Sequence, residues 1–231
     1  MYQTNNEPLW IVVPAGGTSQ RFGSPKLLKM VAGKPLLQWT LERLLALPLD
    51  IIGVVLVYPE ALAKEFKVFE QLSDKIRSVP GGRTRAESVH CGMKAIPTPH
   101  PTWVMVHDAA RPHFNAEDVA GLWQHTRTHT VGGVLCRPMN SSIKKRLENN
   151  EVYSLSREAV VEVLTPQVFK YDLLDKALAT HALDPTVTDE ASCVEKLGLL
   201  CTSYMTQRVV PKLTYEYELD WLEYCLQKQD A

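Results

Sequence analysis

Short apolar runs recur along the chain, separated by segments whose apolar residues fall on one helical face. Leu9 to Val13, Ile51 to Val57, Trp103 to Val106 and Gly133 to Cys136 are nearly continuous and rich in branched aliphatics, the pattern of strands buried on both faces. Between them, Leu36, Leu37, Thr40, Leu41, Leu44 and Leu45 recur at helical spacing, and Ala61 to Leu72, Ala86 to Ile96 and Ala116 to Thr126 follow the same period. Strand and helix in alternation predict an α/β fold around a mostly parallel sheet with right-handed crossovers. Later the pattern predicts a helix over Tyr171 to Thr180, another beginning near Asp189, a strand around Leu200 to Met205 and a terminal helix from Glu216 to Lys228.

One stretch breaks the rhythm. From Asn140 to Arg157 two short alternating runs flank Glu148, Asn149 and Asn150, a turn-prone group, which predicts a hairpin. Its faces are too polar for a core strand pair, and an isolated hairpin is marginal in water, so a partner subunit is its expected support. At 231 residues the chain is expected to form one domain without repeats or linkers.

Composition narrows the function classes. A formal charge of −1 gives no general drive toward nucleic acid or anionic membrane, so any anion must be held by a local cluster. The five cysteines (Cys91, Cys136, Cys193, Cys201 and Cys225) are scattered, odd in number and without a C-x-x-C pair. They read as small core residues in a reducing compartment rather than as disulfides or a zinc site. His125 and His129 have i,i+4 spacing, but they fall at the polar end of a helix and are not expected to bind zinc. The polar start, "MYQTNNEPLW", and the lack of any long apolar run predict a soluble cytoplasmic protein.

The chemistry concentrates after the first strand. In "LWIVVPAGGTSQRFGSPK" Gly16 and Gly17 follow a strand end, where backbone N–H groups can approach an anion without a Cβ in the way. The glycines at 16, 17 and 23 do not match G-x-G-x-x-G, and Ser24 stands where a P-loop requires lysine, so both the dinucleotide and the P-loop ATPase readings are weak. What remains is Arg21 and Lys26 beside a glycine turn, a fork of donors and a point charge suited to a triphosphate.

Further constellations join it. In "PGGRTRAESV" Gly81 and Gly82 permit close approach of a flat ligand, and Ser88 could reach a ribose hydroxyl. In "VMVHDAARP" a strand ends on His107 and Asp108, where a carboxylate is well placed for Mg²⁺ bridging phosphates; His107 reads as a structural histidine. Thr165 in "LTPQ", Thr188 in "VTDEAS" and Lys212 in "VPKLT" gain weight by company, although Thr188 also reads as the N-cap of the helix beginning at Asp189.

The ordered set "PAGGTSQRFGSPK", "GGRTRAESV", "HDAARP", "LTPQ", "TDEAS" and "KLT" resembles the 2-C-methyl-D-erythritol 4-phosphate cytidylyltransferase family, from Leu9 to about Leu226. The resemblance implies a Rossmann-like nucleotidyltransferase fold of the nucleotide-diphospho-sugar transferase type. It further implies helices on both faces of a twisted sheet, and a homodimer joined by a β-arm at residues 139–158. The activity implied is transfer of the cytidylyl group of CTP to the polyol phosphate in the non-mevalonate isoprenoid pathway, with Mg²⁺ as cofactor. Arg21 and Lys26 would hold the triphosphate, and Lys212 would stabilise the pentacoordinate phosphorus. Ala15, Gly16, Gly17, Gly81, Gly82, Ser88 and Ala109 would line the cytidine pocket. Asp108 would serve the Mg²⁺. Thr165, Thr188 and, across the dimer, Arg157 would grip the acceptor. The nearest alternative is a cytidylyltransferase for another polyol phosphate such as ribitol 5-phosphate; a nucleotide-binding protein without catalysis and an NAD-dependent oxidoreductase are readings of other classes.

Overall fold

The computed structural model describes residues 7–17, 22–23, 25–129 and 131–229. Arg21 therefore lies outside the described residues. In chain order the elements are β1 (Leu9–Pro14), β2 (Met30–Val31), β3 (Lys34–Pro35), α1 (Leu36–Leu45), β4 (Ile51–Tyr58), α2 (Ala63–Lys67), β5 (Ile76–Pro80), α3 (Arg85–Lys94) and β6 (Trp103–Val106). The second half runs α4 (Ala116–Thr126), β7 (Gly132–Pro138), β8 (Ile143–Arg146), β9 (Val152–Leu155), β10 (Val161–Lys170), α5 (Tyr171–His181), α6 (Glu190–Glu195), β11 (Thr202–Met205) and α7 (Leu219–Gln229).

Seven strands form one sheet in the order β11-β7-β10-β6-β1-β4-β5. All neighbours are parallel except β10, which runs antiparallel to both β6 and β7. The chain moves from β1 outward to β4 and β5, then returns to place β6 on the other side of β1. This reversal opens a crevice beyond the carboxyl ends of β1 and β6, the usual ligand position in such sheets.

Side chains of β1 alternate between two cores. Leu9, Ile11 and Val13 pack with Leu37, Leu41, Phe66 and Leu122 on one face; Trp10 and Val12 pack with Val89, Met93, Leu174 and Val194 on the other. Helices thus cover both faces, which is why the central strands read as unbroken apolar runs.

Several elements depart from expectation. The helix expected over Ala61 to Leu72 is broken into 3₁₀ turns at Glu60–Leu62 and Val68–Leu72 around α2. Phe66 and Phe69 meet edge to face at 6.3 Å, and a spacing of three residues aligns them best in a 3₁₀ turn. The 3₁₀ turn Glu216–Glu218 likewise takes the first residues expected of the terminal helix. The polarity of Arg77 and Ser78 hid edge strand β5. Pro166 hid β10; the ladder to β7 shifts register between Val163 and Gln167, which accommodates a residue that cannot donate.

The hairpin is present. β8 and β9 pair Ile143 with Leu155 and Arg146 with Val152, separately from the main sheet. Asn150 takes a left-handed conformation at φ 68° in the turn, as asparagine does readily.

Candidate active site

Three strand ends supply the site. After β1 the chain turns out of the sheet at Ala15, Gly16 and Gly17; after β5 it turns at Gly81 and Gly82; after β6 it turns at His107 to Ala110. From these turns Ala15 to Gly17, Gly82 and Asp108 to Ala110, with Lys26, Thr84, Arg85, Ser88 and Lys212, surround a cavity of about 310 Å³.

The second turn is built for close approach. Ser88, one helical turn into α3, is buried; its hydroxyl accepts from Gly82 N at 3.1 Å and donates to Thr84 O at 2.8 Å. A Cβ on Gly81 would stand 2.7 Å from that hydroxyl and 3.1 Å from Val57, so this glycine is required by packing. The Ser88 hydroxyl, expected to reach a ribose, is engaged with backbone and shapes the turn instead. Thr84 caps α3, its side chain accepting from Glu87 N, while Glu87 accepts from Arg83 N at 2.6 Å.

The third turn carries the charge. Asp108 N donates to the buried Thr165 hydroxyl at 3.1 Å, and Arg111 N closes the turn onto Asp108 O at 3.0 Å. His107 is fully buried with Nε2 2.9 Å from Arg111 O, and burial pushes its pKa down to about 4. It is a neutral structural residue, not a base facing the cavity.

Asp108 is the hub. Oδ1 accepts from Arg85 Nε and Nη2 at 3.1 and 2.9 Å. Oδ2 accepts from Lys212 Nζ at 2.8 Å and Arg111 Nε at 3.3 Å. Burial would raise its pKa, but Arg85, Lys212 and Arg111 hold it far below the ordinary carboxylate range. Behind it, Arg85 Nη1 donates to the buried Glu190 at 2.6 Å. Three cations against two carboxylates leave net positive charge beside the cavity, a receptor for anions.

Lys212 sits on an irregular segment rather than at the end of a strand. Arg111 Nη1 donates to Val210 O at 2.6 Å, and Leu213 N donates to Ala110 O at 2.9 Å. Lys26 Nζ donates to Leu213 O at 2.6 Å, tying the first turn to the same segment. A second recess of about 410 Å³ lies on the far side of Lys212, running past Arg111 and Thr214 to Arg137 and Glu162 at the base of the hairpin.

The structure therefore brings together Ala15, Gly16, Gly17, Lys26, Gly82, Ser88, Asp108, Ala109 and Lys212, with Gly81 against Ser88. Thr165 lies behind Asp108 rather than on the cavity wall. Thr188 is also off the wall, and it is not the N-cap of α6. Asp189 is, with its side chain accepting from Ser192 N and the Ser192 hydroxyl facing the cap backbone. Asp189 prevails because its carboxylate closes the capping box with Ser192, while Thr188 only contacts the Ser192 hydroxyl. Arg157 is exposed on the arm, donating to Asn140 O at 3.4 Å. Sequence reasoning missed Arg85, Arg111 and Glu190, although all three stand inside the quoted motifs "GGRTRAESV", "HDAARP" and "TDEAS".

Among the described residues no group of three or more His, Cys, Asp or Glu is placed to hold a metal. A Mg²⁺ ion here would take one protein carboxylate and draw its other ligands from phosphate and water, as that ion commonly does. Asp108 is the carboxylate on the cavity wall that would serve such an ion, sharing its oxygens with Arg85, Arg111 and Lys212. Lys212, paired with Asp108 at 2.8 Å, keeps 37% of its side chain exposed toward the cavity and so can meet a phosphate without leaving that pair.

The family model described as 2-C-methyl-D-erythritol 4-phosphate cytidylyltransferase matches residues 9–228. A protein of that name from Vibrio parahaemolyticus is 38% identical over 193 residues, covering 81% of this chain and 82% of the relative. One from Ectopseudomonas mendocina is 32% identical over 232 residues, covering 96% and 97%. The crystal structure of the Francisella tularensis protein of the same name superposes with a TM-score of 0.79 at 26% identity, covering 94% of this chain and 99% of that one.

Proposed function

The chain belongs to the 2-C-methyl-D-erythritol 4-phosphate cytidylyltransferase family, and from that premise we propose how its residues carry the reaction. It is a nucleotidyltransferase that moves the cytidylyl group of CTP to 2-C-methyl-D-erythritol 4-phosphate, releasing diphosphate, in isoprenoid biosynthesis. The observation that carries the residue assignment is the convergence of Lys26, Lys212 and Asp108 on a cavity walled by the Gly16–Gly17 and Gly82–Ser88 turns.

The cytidine lies against Ala15, Gly16, Gly17, Gly81, Gly82 and Ala109, with Ser88 holding the second turn in shape. Arg21 and Lys26 take the triphosphate. A phosphate oxygen of the acceptor attacks the α-phosphorus in line. The bond to the bridging oxygen breaks, and its electron pair leaves on diphosphate. The attacking phosphate is already ionised, so no proton must be removed, and a neutral buried His107 is no handicap. Catalysis then rests on positioning and on charge stabilisation. That Lys212 lines both recesses supports its role between the two substrates. Mg²⁺ held by Asp108 would neutralise charge on the phosphates.

Thr165 and Thr188, which stand outside the nucleotide cavity, grip the acceptor together with the partner subunit's Arg157, in a homodimer joined through the β-arm. Supporting that assembly, Val152, Tyr153 and Leu155 on β9 are 54%, 45% and 39% exposed on a two-stranded arm that is marginal alone. A cytoplasmic location is supported by five free cysteines; burial pushes Cys136 and Cys193 to about 11 and Cys201 to about 12, as inert core thiols.

The assignment is tested by Lys26→Ala and Lys212→Ala. Each lowers kcat by about 10²–10³, the scale of removing one preorganised donor, with circular dichroism unchanged. Wild-type rates in both variants would overturn it.

A further inference from the structure

Glu190 is the least explained charged group in the molecule. It is fully buried at the start of α6, with Oε1 2.6 Å from Arg85 Nη1. Oε2 is buried without a hydrogen-bond partner. A carboxylate in such a place is costly, and an ion pair seldom recovers that cost as stability. Burial pushes its pKa up, and Arg85 opposes that shift. The N-terminus of a short helix gives only slight relief.

The arrangement around Arg85 shows what the carboxylate does. The guanidinium is divided: Nη1 faces Glu190, while Nε and Nη2 grip Asp108 Oδ1. Anchored on two sides, the plane cannot slide along the carboxylate toward Oδ2. That leaves Oδ2 for Lys212 at 2.8 Å, with Arg111 at the longer 3.3 Å. Glu190 also takes up part of Arg85's charge, which would otherwise fall wholly on Asp108 and compete with Lys212 for it.

We propose that Glu190 is a positioning residue: through Arg85 it sets the orientation of Asp108, and so holds the Lys212 ammonium at the cavity. The chain of contacts runs Glu190, Arg85, Asp108, Lys212, and links the α6 N-terminus to the wall between the two recesses. Its kinetic consequence rests on the cytidylyltransferase reading above; its structural consequence does not.

Two measurements on the full-length protein separate these. The first is peptide-mapped acylation of Lys212 by an amine-specific reagent, which needs no turnover. In Glu190→Gln the guanidinium slides onto both Asp108 oxygens, Lys212 is released, and its labelling rate rises severalfold while that of Lys94 stays constant. Glu190→Met, apolar and of similar volume, releases the same side of Arg85, raises Lys212 labelling likewise and serves if the first variant does not fold. Unchanged Lys212 labelling in a folded variant of either kind would overturn the proposal.

The second is a kinetic cycle. Glu190→Gln lowers kcat roughly tenfold, as loss of an orienting partner typically does, with KM for both substrates within twofold. In a Lys212→Gln background the same substitution costs less than twofold, because its effect passes through that lysine. An equal loss in both backgrounds, or no loss in either, would overturn the relay. A wild-type protein that releases no diphosphate would instead sink the functional reading, and the labelling result would still decide the positioning role.

Discussion

Asp108 collects more interactions than any other side chain of the site, and its behaviour is the sharpest residue-level test. Replacing it by asparagine leaves Arg85, Arg111 and Lys212 without their shared counter-charge. Breaking a buried pair from one side costs about 3–5 kcal/mol, so Asp108→Asn should lower Tm by roughly 10 °C and abolish turnover. The pH dependence has a definite sign. Because the folded pKa of Asp108 lies below its unfolded value, its contribution to stability is fully present above the ordinary carboxylate range. It is lost as pH falls from that range toward the depressed value. Chemical denaturation should therefore show stability dropping below about pH 4, with a shallower drop in Asp108→Asn; equal slopes would contradict the pairing. Asp108 itself was legible from the sequence, since a carboxylate at the end of an apolar strand faces the ligand crevice. Lys212 was also legible, by its place in "VPKLT"; Arg85 and Arg111 were not, because an arginine beside a glycine turn or a strand end reads equally as solvated, and the pair that anchors Arg85 from behind joins it to Glu190, 105 positions away.

At the scale of elements, turns and helix starts carry the site. Alanine at Gly81 would place its Cβ 2.7 Å from the Ser88 hydroxyl that accepts from Gly82 N. Such overpacking costs about 1–3 kcal/mol. Gly81→Ala should raise KM for CTP while KM for the acceptor stays within twofold; steady-state kinetics with each substrate varied in turn would show it. Asp189→Ala removes the cap of α6 and the contact from Gln167 Nε2 at 2.9 Å. About 1 kcal/mol of stability should go, and as Thr188 loosens the acceptor KM should rise severalfold with the CTP KM unchanged. Central strands and long helices were readable because two-sided burial and helical period leave plain signals. β5 and β10 were not, for opposite reasons: one is a polar edge, and the other carries a proline that a register shift absorbs. The hairpin was readable because its turn residues and alternation lie within 18 consecutive positions.

On the scale of the whole molecule, the sheet reversal at β1 creates the crevice, and the arm extends the chain away from it. The homodimer proposed above predicts that deleting the arm between Pro138 and Val161 leaves a monomer by analytical ultracentrifugation, where the intact chain is a dimer. Catalysis should fall with it because Arg157 of the partner subunit is lost, while the two cores flanking the sheet keep the domain folded. A deleted variant that remains dimeric would place the interface elsewhere. Among the described residues no helix is long and apolar enough to cross a membrane.

On the proposed function, the cavity between the glycine turns accepts CTP and passes its cytidylyl group to one polyol phosphate. Diphosphate release by the purified protein tests it most directly, with CTP and Mg²⁺ offered alongside either 2-C-methyl-D-erythritol 4-phosphate or ribitol 5-phosphate. Release with the first acceptor and little with the second is the predicted result; release with ribitol 5-phosphate alone, or with neither, would contradict it.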